Sequence, residues 1–294
     1  MELERIVQTV NRLAWFFWHP LGFRDRNEIH SMVEDWRAAF QWFLSSFAFE
    51  RQGRSPYYSD FAVEAVELYD GEIPGQDFEE KLWDNFLKRG GFPADGEGAN
   101  KKNNPLAPSD NGYSSASRLV SSLEDFNFNV VQWALSLAQS GDVKRAWNKL
   151  VAIRGIGDKI ASLYLRDIVD AFEIDEDIVG NKVYLQPIDA WTRRGAKALA
   201  EFMSVAPKSD WDLAEVLIEV SERASVRSTY TNTGLWFLGA QLVRDKERFH
   251  DLLLSVDDLH DFLRDEMYRH RKRAEILETV LSASGYDTQK AVAR

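Results

Sequence analysis

The stretch Gly155-Ile156-Gly157-Asp158-Lys159-Ile160-Ala161 interrupts an apolar helical pattern that runs from Val143 to Phe172. A glycine inside a helix costs about 1 kcal/mol relative to alanine, so two of them this close predict that one helix ends near Ile153 and a second begins near Asp158. Glycine reaches backbone conformations closed to other residues, and both Gly155 and Gly157 are expected to use them in a tight reversal. Their missing side chains leave the first N–H groups of the second helix bare. Such a place attracts an anion, phosphate above all. A plain αα-hairpin turn without a ligand is the alternative these residues leave open. Asp189 is the second position of interest. It follows Pro187-Ile188 and precedes a helical stretch, where it suits the N-cap. His19 and His30 have no metal-like spacing, and the absence of cysteine excludes disulfides, iron–sulfur clusters and thiolate zinc sites.

The elements that must position these residues read as helical almost everywhere. Residues 33–49 carry apolar side chains at helical spacing, and shorter amphipathic stretches follow over 60–70 and 78–90. Residues 91–111 are rich in Gly, Pro, Asn and Asp and are expected to form a long exposed loop. Helical patterning resumes at Tyr113. Asp142 is expected to cap the helix carrying Val143, Trp147, Leu150 and Val151, and the next helix presents Ile160, Ala161, Tyr164, Ile168 and Phe172 inward. Further helices follow Asp189 and run to about Ser282. The stretch Val183–Pro187 is too short to build a sheet, and no internal repeat is present. The expected fold class is all-α.

The 294 residues carry a net charge of −11, with ten tryptophans and 18 phenylalanines. An acidic chain argues weakly against a nucleic-acid partner, but net charge does not report where the charges lie. Glu173, Asp175, Glu176 and Asp177 would repel DNA and are expected to point away from it. No uncharged run reaches the length that spans a bilayer, and the N-terminus opens with glutamates rather than a basic signal region. A cytoplasmic, intracellular protein without a membrane partner is the expectation.

Residues 143–194 resemble the helix-hairpin-helix DNA glycosylase superfamily, which includes endonuclease III, the adenine glycosylases and 8-oxoguanine DNA glycosylase. The hairpin there has the form Gly-hydrophobic-Gly-x-Lys-x-Ala, matched by Gly155 to Ala161. Downstream the family has Pro-hydrophobic-Asp and an arginine five residues later, matched by Pro187-Ile188-Asp189 and Arg194. More weakly, residues 40–55 look like the family's first core helix and its glutamine-bearing loop. Residues 111–120 look like the segment before the hairpin, and 232–243 look like the late helix under the aspartate. Arg154 stands where relatives often have proline, and Trp191 where many have histidine.

The resemblance implies a two-lobed helical fold. One lobe would combine residues 1–90 with 205–294. The central lobe, 112–204, would hold the hairpin (about 143–172) and the aspartate segment (187–194). It implies a monomer that removes a damaged or modified base from double-stranded DNA. Cleaving the glycosidic bond develops positive charge on the sugar, which an ionised Asp189 beside C1′ would stabilise. A lysine at Lys159 marks relatives that attack C1′, form a Schiff base and nick the strand. The target base must leave the duplex, and Gln52, flanked by Arg51 and Arg54, matches the inserting glutamine. Arg154, Gly155, Ile156, Gly157 and Arg194 are the expected DNA contacts, with Lys149 beside them. No cofactor is implied beyond a monovalent cation at the hairpin. An aromatic pocket for the base is expected, with Trp15, Phe16, Phe17 and Trp18 as candidates that core packing would equally explain. His270–Arg273 is a candidate phosphate contact or a solvated face. A glycosylase without lyase activity and a non-catalytic binding module or scaffold are the alternatives.

Overall fold

The computed structural model describes residues 2–18, 24–49, 57–90, 103–110 and 112–283; these are helical, with two isolated β-bridges and no strand among them. The chain opens with α1 (Glu2–Trp18), α2 (Arg26–Ser31), α3 (Trp36–Phe43), α4 (Tyr57–Glu67) and α5 (Phe78–Gly90). It continues through α6 (Ala116–Ser121), α7 (Val130–Gln139), α8 (Val143–Val151) and α9 (Asp158–Ala171). The last elements are α10 (Ala190–Phe202), α11 (Asp210–Arg223), α12 (Ser228–Phe237), α13 (Lys246–Leu252) and α14 (Val256–Ala283). Side chains fix many of the starts. Asp35 Oδ1 accepts from the N–H groups of Arg37 and Ala38 to open α3. Asn129 opens α7 in the same way and donates its amide to the Met32 and Val33 carbonyls, tying α7 to the chain before α3. Asp142 occupies the N-cap position of α8 but makes no side-chain capping bond, contrary to expectation.

Two apolar cores result. The first gathers Phe17 and Trp18 of α1 with the inner faces of α2 to α9. At its centre lies Tyr164, fully buried, with the Phe43 and Phe47 rings 5.0 and 5.1 Å away and its hydroxyl donating to the Val130 carbonyl at 2.9 Å. The second gathers Ile6, Val7, Val10 and Leu13 of α1 with α10 to α14. Where α1 meets α12 the two backbones touch: a Cβ on Gly234 would lie 1.9 Å from the Val10 carbonyl oxygen, so only glycine fits.

The two cores divide the helices between them. Helices α3 to α5 pack with α6 to α9 in the first core, where α3 brings Trp42 and Phe43 to Tyr164. Helix α10 packs with the C-terminal helices, and α1 joins them through Ile6, Val7, Val10 and Leu13. The exposed loop expected over 91–111 is corrected at its far end, where Asn104, Pro105, Leu106 and Ala107 are buried. Glu79 of α5 accepts from the Ser109 N–H and from the Ser109 and Ser115 hydroxyls, pinning this segment to the start of α6. Beyond Phe262 the described side chains of α14 lie largely in solvent, His270 to Arg273 among them.

Candidate functional site

The hairpin forms as the glycines predict, but they do different work. Gly155 has a positive φ, in the left-handed region that favours glycine. Gly157 is extended, at φ −100° and ψ 177°, a conformation any residue adopts; the expectation that both glycines need special backbone freedom is corrected. A Cβ at Gly157 would meet no atom within 4 Å. Glycine there leaves the ground in front of α9 clear, and no side chain caps this helix. Ile156 between them is buried in the first core. The turn is braced from outside: the Ser114 N–H donates to the Ala152 carbonyl, and the Arg154 N–H donates to the Ser114 carbonyl, both at 2.9 Å.

Lys159, in the first turn of α9, is half-buried and makes no hydrogen bond or ion pair among the described residues. It lines a narrow cleft with Phe17, Leu163, Arg166, Pro187, Asp189, Thr192, Asn232 and Trp236. Lys159 comes from the first core and Asp189 stands at the head of α10 in the second, so the cleft lies on the seam. Asp189 caps α10: its Oδ1 accepts from the Trp191 and Thr192 N–H groups at 2.8 Å, with the Thr192 hydroxyl 3.0 Å away. The Thr192 hydroxyl in turn accepts from the Asp189 N–H at 2.7 Å. Among the described residues the other carboxylate oxygen, Oδ2, accepts no hydrogen bond. One oxygen is committed to structure and one is left over.

Behind the cleft lies a buried polar chain. Arg166, two turns after Lys159 on the same face, bonds Asp167 at 2.8 Å and donates to the Asn232 Oδ1 at 3.2 Å. Asn232 donates to the Pro187 carbonyl at 3.2 Å, which the Thr192 hydroxyl also reaches. Helix α12 therefore holds the segment that presents Asp189. Phe17 and Trp236 meet edge to face at 5.8 Å and give the cleft an aromatic wall. Of the four N-terminal aromatics Phe17 alone lines this cleft; Trp18 is core, while Trp15 and Phe16 are exposed.

Other expected residues are placed differently. Arg154 is buried, its guanidinium 2.5 Å from Asp110 and over the Tyr113 ring, so it faces the 108–114 segment rather than a ligand. Arg194 donates to the Lys246 carbonyl at 3.0 Å and ties α10 to α13. Arg51, Gln52, Arg54 and His19 lie outside the described residues. Glu176, expected with its acidic neighbours to point away from DNA, is buried and accepts from the N–H and hydroxyl groups of Ser228 and Thr229 at the start of α12. Lys144, Arg145 and Lys149 of α8 are exposed and make no ion pair among the described residues, giving the approach to the hairpin a basic face. Sequence reading missed Arg166, Thr192, Asn232 and Trp236. Arg166 had a legible signal, an arginine seven residues after Lys159 on an apolar helix; the other three are joined to the site only by the fold. No group of three or more His, Asp or Glu side chains among the described residues is arranged to hold a metal.

No family model matches the chain, and no solved structure matches it. An "Uncharacterized protein MJECL21" of Methanocaldococcus jannaschii is 50% identical over 40 residues, 14% of this chain and 9% of that protein. The chain thus covers a small part of that relative. No helix among the described residues is long and apolar enough to cross a membrane.

Proposed function

We propose that the chain is an intracellular DNA N-glycosylase of the helix-hairpin-helix kind, with strand-cleaving lyase activity on duplex DNA bearing a damaged or modified base. The observation that carries this reading is the meeting of Lys159 and Asp189 in one cleft beside a helix N-terminus that no side chain caps. A phosphate rests on the α9 amides, with Lys144, Arg145 and Lys149 facing the strand around it. The target nucleotide rotates out of the duplex into the seam, where Phe17 and Trp236 offer it an aromatic wall. The free oxygen of Asp189 faces the positive charge that grows at C1′. The amine of Lys159 attacks C1′ as the bond to the base breaks, and the base departs with the proton that the amine releases. The sugar ring then opens to a Schiff base, and loss of the C2′ proton expels the 3′ phosphate and nicks the strand. The cleft is narrow, so the two cores separate at the seam to admit the nucleotide.

A panel of duplexes, each with one altered base, tests this. Base release from at least one duplex, together with a borohydride-trapped adduct that Lys159→Gln abolishes, is the expected result. Release without a trapped adduct by the parent protein makes it a glycosylase lacking the lyase step. Release from none of the panel, with no DNA affinity, removes the reading.

A further inference from the structure

Lys159 has a second face. It also lines a separate crevice with Trp147, Asp158, Ser162, Gln186, Asp210, Trp211 and the apolar side chains below them. Lys159 is the single residue this crevice shares with the cleft. Trp147 and Trp211 line it, and the Tyr184 ring packs against both. Trp211 lies 5.8 Å from Trp147 and 5.3 Å from Tyr184, and Trp147 lies 5.3 Å from Tyr184. Trp211 is 41% exposed at the first turn of α11, a large apolar ring left in contact with solvent. The Trp147 indole is held in place by donating to the Ser162 hydroxyl at 3.2 Å.

Gln186 adds an independent observation. It is 3% exposed, yet its Oε1 has no hydrogen-bond donor. Its orientation is determined by its neighbours. The Ser228 hydroxyl donates to Glu176 Oε2 at 2.8 Å, so it can only accept from the Gln186 amide, at 2.9 Å, which leaves the carbonyl oxygen for something else. A buried acceptor without a donor is costly and rare in a settled interior, and it asks for a ligand that brings an N–H group. Asp158, exposed at the rim, likewise has no partner among the described residues, and Lys159 supplies a donor.

We infer that this crevice holds a nucleobase, stacked on Trp211 and donating from its N–H edge to Gln186 Oε1, with Lys159 donating to a ring nitrogen or carbonyl. The inference rests on the reading above in one respect. The α9 amides that would receive a phosphate adjoin Asp158 and Lys159 at the crevice mouth. A single nucleotide therefore fits with its phosphate on the helix and its base against Trp211, next to the nucleotide that reacts in the cleft. The shared chemistry is a base with its phosphate, supplied either by a strand of DNA or by a free mononucleotide.

The test uses the full chain and two probes, deoxyadenosine monophosphate and a short single-stranded deoxyoligonucleotide, with binding followed by calorimetry. Base–aromatic stacking is worth enough that Trp211→Ala is expected to weaken binding about tenfold or more. Because Trp211 is exposed, this variant keeps its fold, and Gln186→Met serves as a second variant that lacks the acceptor and is also expected to weaken binding. Binding of the mononucleotide identifies a free ligand; binding of the oligonucleotide alone identifies a base within a strand; either one, if sensitive to Trp211, supports the crevice. Equal binding by parent and Trp211→Ala, or no binding of either probe, overturns it. Excision by the parent is scored separately. Excision without Trp211-dependent binding removes the crevice and keeps the enzyme. Trp211-dependent binding with no excision of any lesion removes the enzyme and keeps the crevice.

Discussion

The two ends of α9 are built in opposite ways. At its N-terminus no side chain caps the helix, Gly157 leaves open space in front, and Lys159 has no partner among the described residues. At its C-terminal end Asp167 and Asp170 are fully buried and paired with arginines, with one Asp170 oxygen left without a donor among the described residues. Asp167 takes Arg166 at 2.8 Å and Arg24 at 3.4 Å, while Asp170 takes Arg227 at 3.2 Å and the Thr229 hydroxyl at 2.6 Å. Buried polar groups that satisfy one another hold a structure together, whereas polar groups left over at an accessible point wait for something from outside. The same helix thus carries an anchor and a site. Substitutions at one end should change stability, and at the other end chemistry.

The largest contrast is expected between Lys159 and Asp167. Lys159→Gln should abolish covalent trapping and strand nicking while thermal unfolding stays within about 0.5 kcal/mol of the parent, as for other sites without partners. Asp167→Ala should do the reverse in stability, costing roughly 3–5 kcal/mol in a denaturant titration, because it leaves the Arg166 guanidinium buried without its carboxylate. A Lys159 variant that unfolds easily, or an Asp167 variant as stable as the parent, breaks the comparison.

Asp170 sharpens it through pH. Burial pushes its carboxyl up to about 7 from 3.8, outweighing the lowering by the Arg227 charge and the Thr229 hydroxyl. Between those two values the folded protein holds a proton that the unfolded chain has released. The stability this contributes is fully present below pH 3.8 and is lost as pH rises through about 7. A shift of about three pH units corresponds to roughly 4 kcal/mol. Asp170→Asn keeps an acceptor for Thr229 and removes the ionisation, so its unfolding midpoint should vary less between pH 5 and 8 and gain on the parent above pH 7. Parallel pH profiles for the two proteins would contradict this.

What was legible in the sequence was local. Helical periodicity reports on the residues within one element, so the all-α class and the hairpin between Val151 and Asp158 could be read directly. Asp189 could be placed as a cap because Pro187 and the following stripe bracket it. What needed distant partners could not be read. Arg154 looked available until Asp110 lay beside it. The burial of Glu176 could not be read because nothing in an acidic run says that Ser228 and Thr229 will bring it their N–H groups. The division of helices between the cores could not be read for the same reason, since an apolar stripe says that a face is buried but not against what. Gly157 was misread differently: sequence shows that a glycine is present, not whether its backbone or its missing side chain is being used.

The two hairpin glycines give the smallest expected effects. Gly155→Ala puts a side chain on a left-handed backbone. That strain should cost about 1–2 kcal/mol of stability in a denaturant titration. Gly157 is extended and faces open space. Gly157→Ala should therefore change stability by no more than about 0.5 kcal/mol. It should still weaken DNA binding, because its methyl group stands where the phosphate approaches. Equal affinities for parent and Gly157→Ala in a binding titration would place the phosphate elsewhere.

The most direct measurement of the central claim is single-turnover base release by Asp189→Asn on a lesion duplex that the parent processes. Asparagine keeps an oxygen to cap α10 and removes the charge from the leftover position. Release is expected to slow about 10²–10³-fold with the unfolding temperature unchanged. Release at the parent rate by the folded variant, or no release by the parent from any duplex of the panel, would contradict the account.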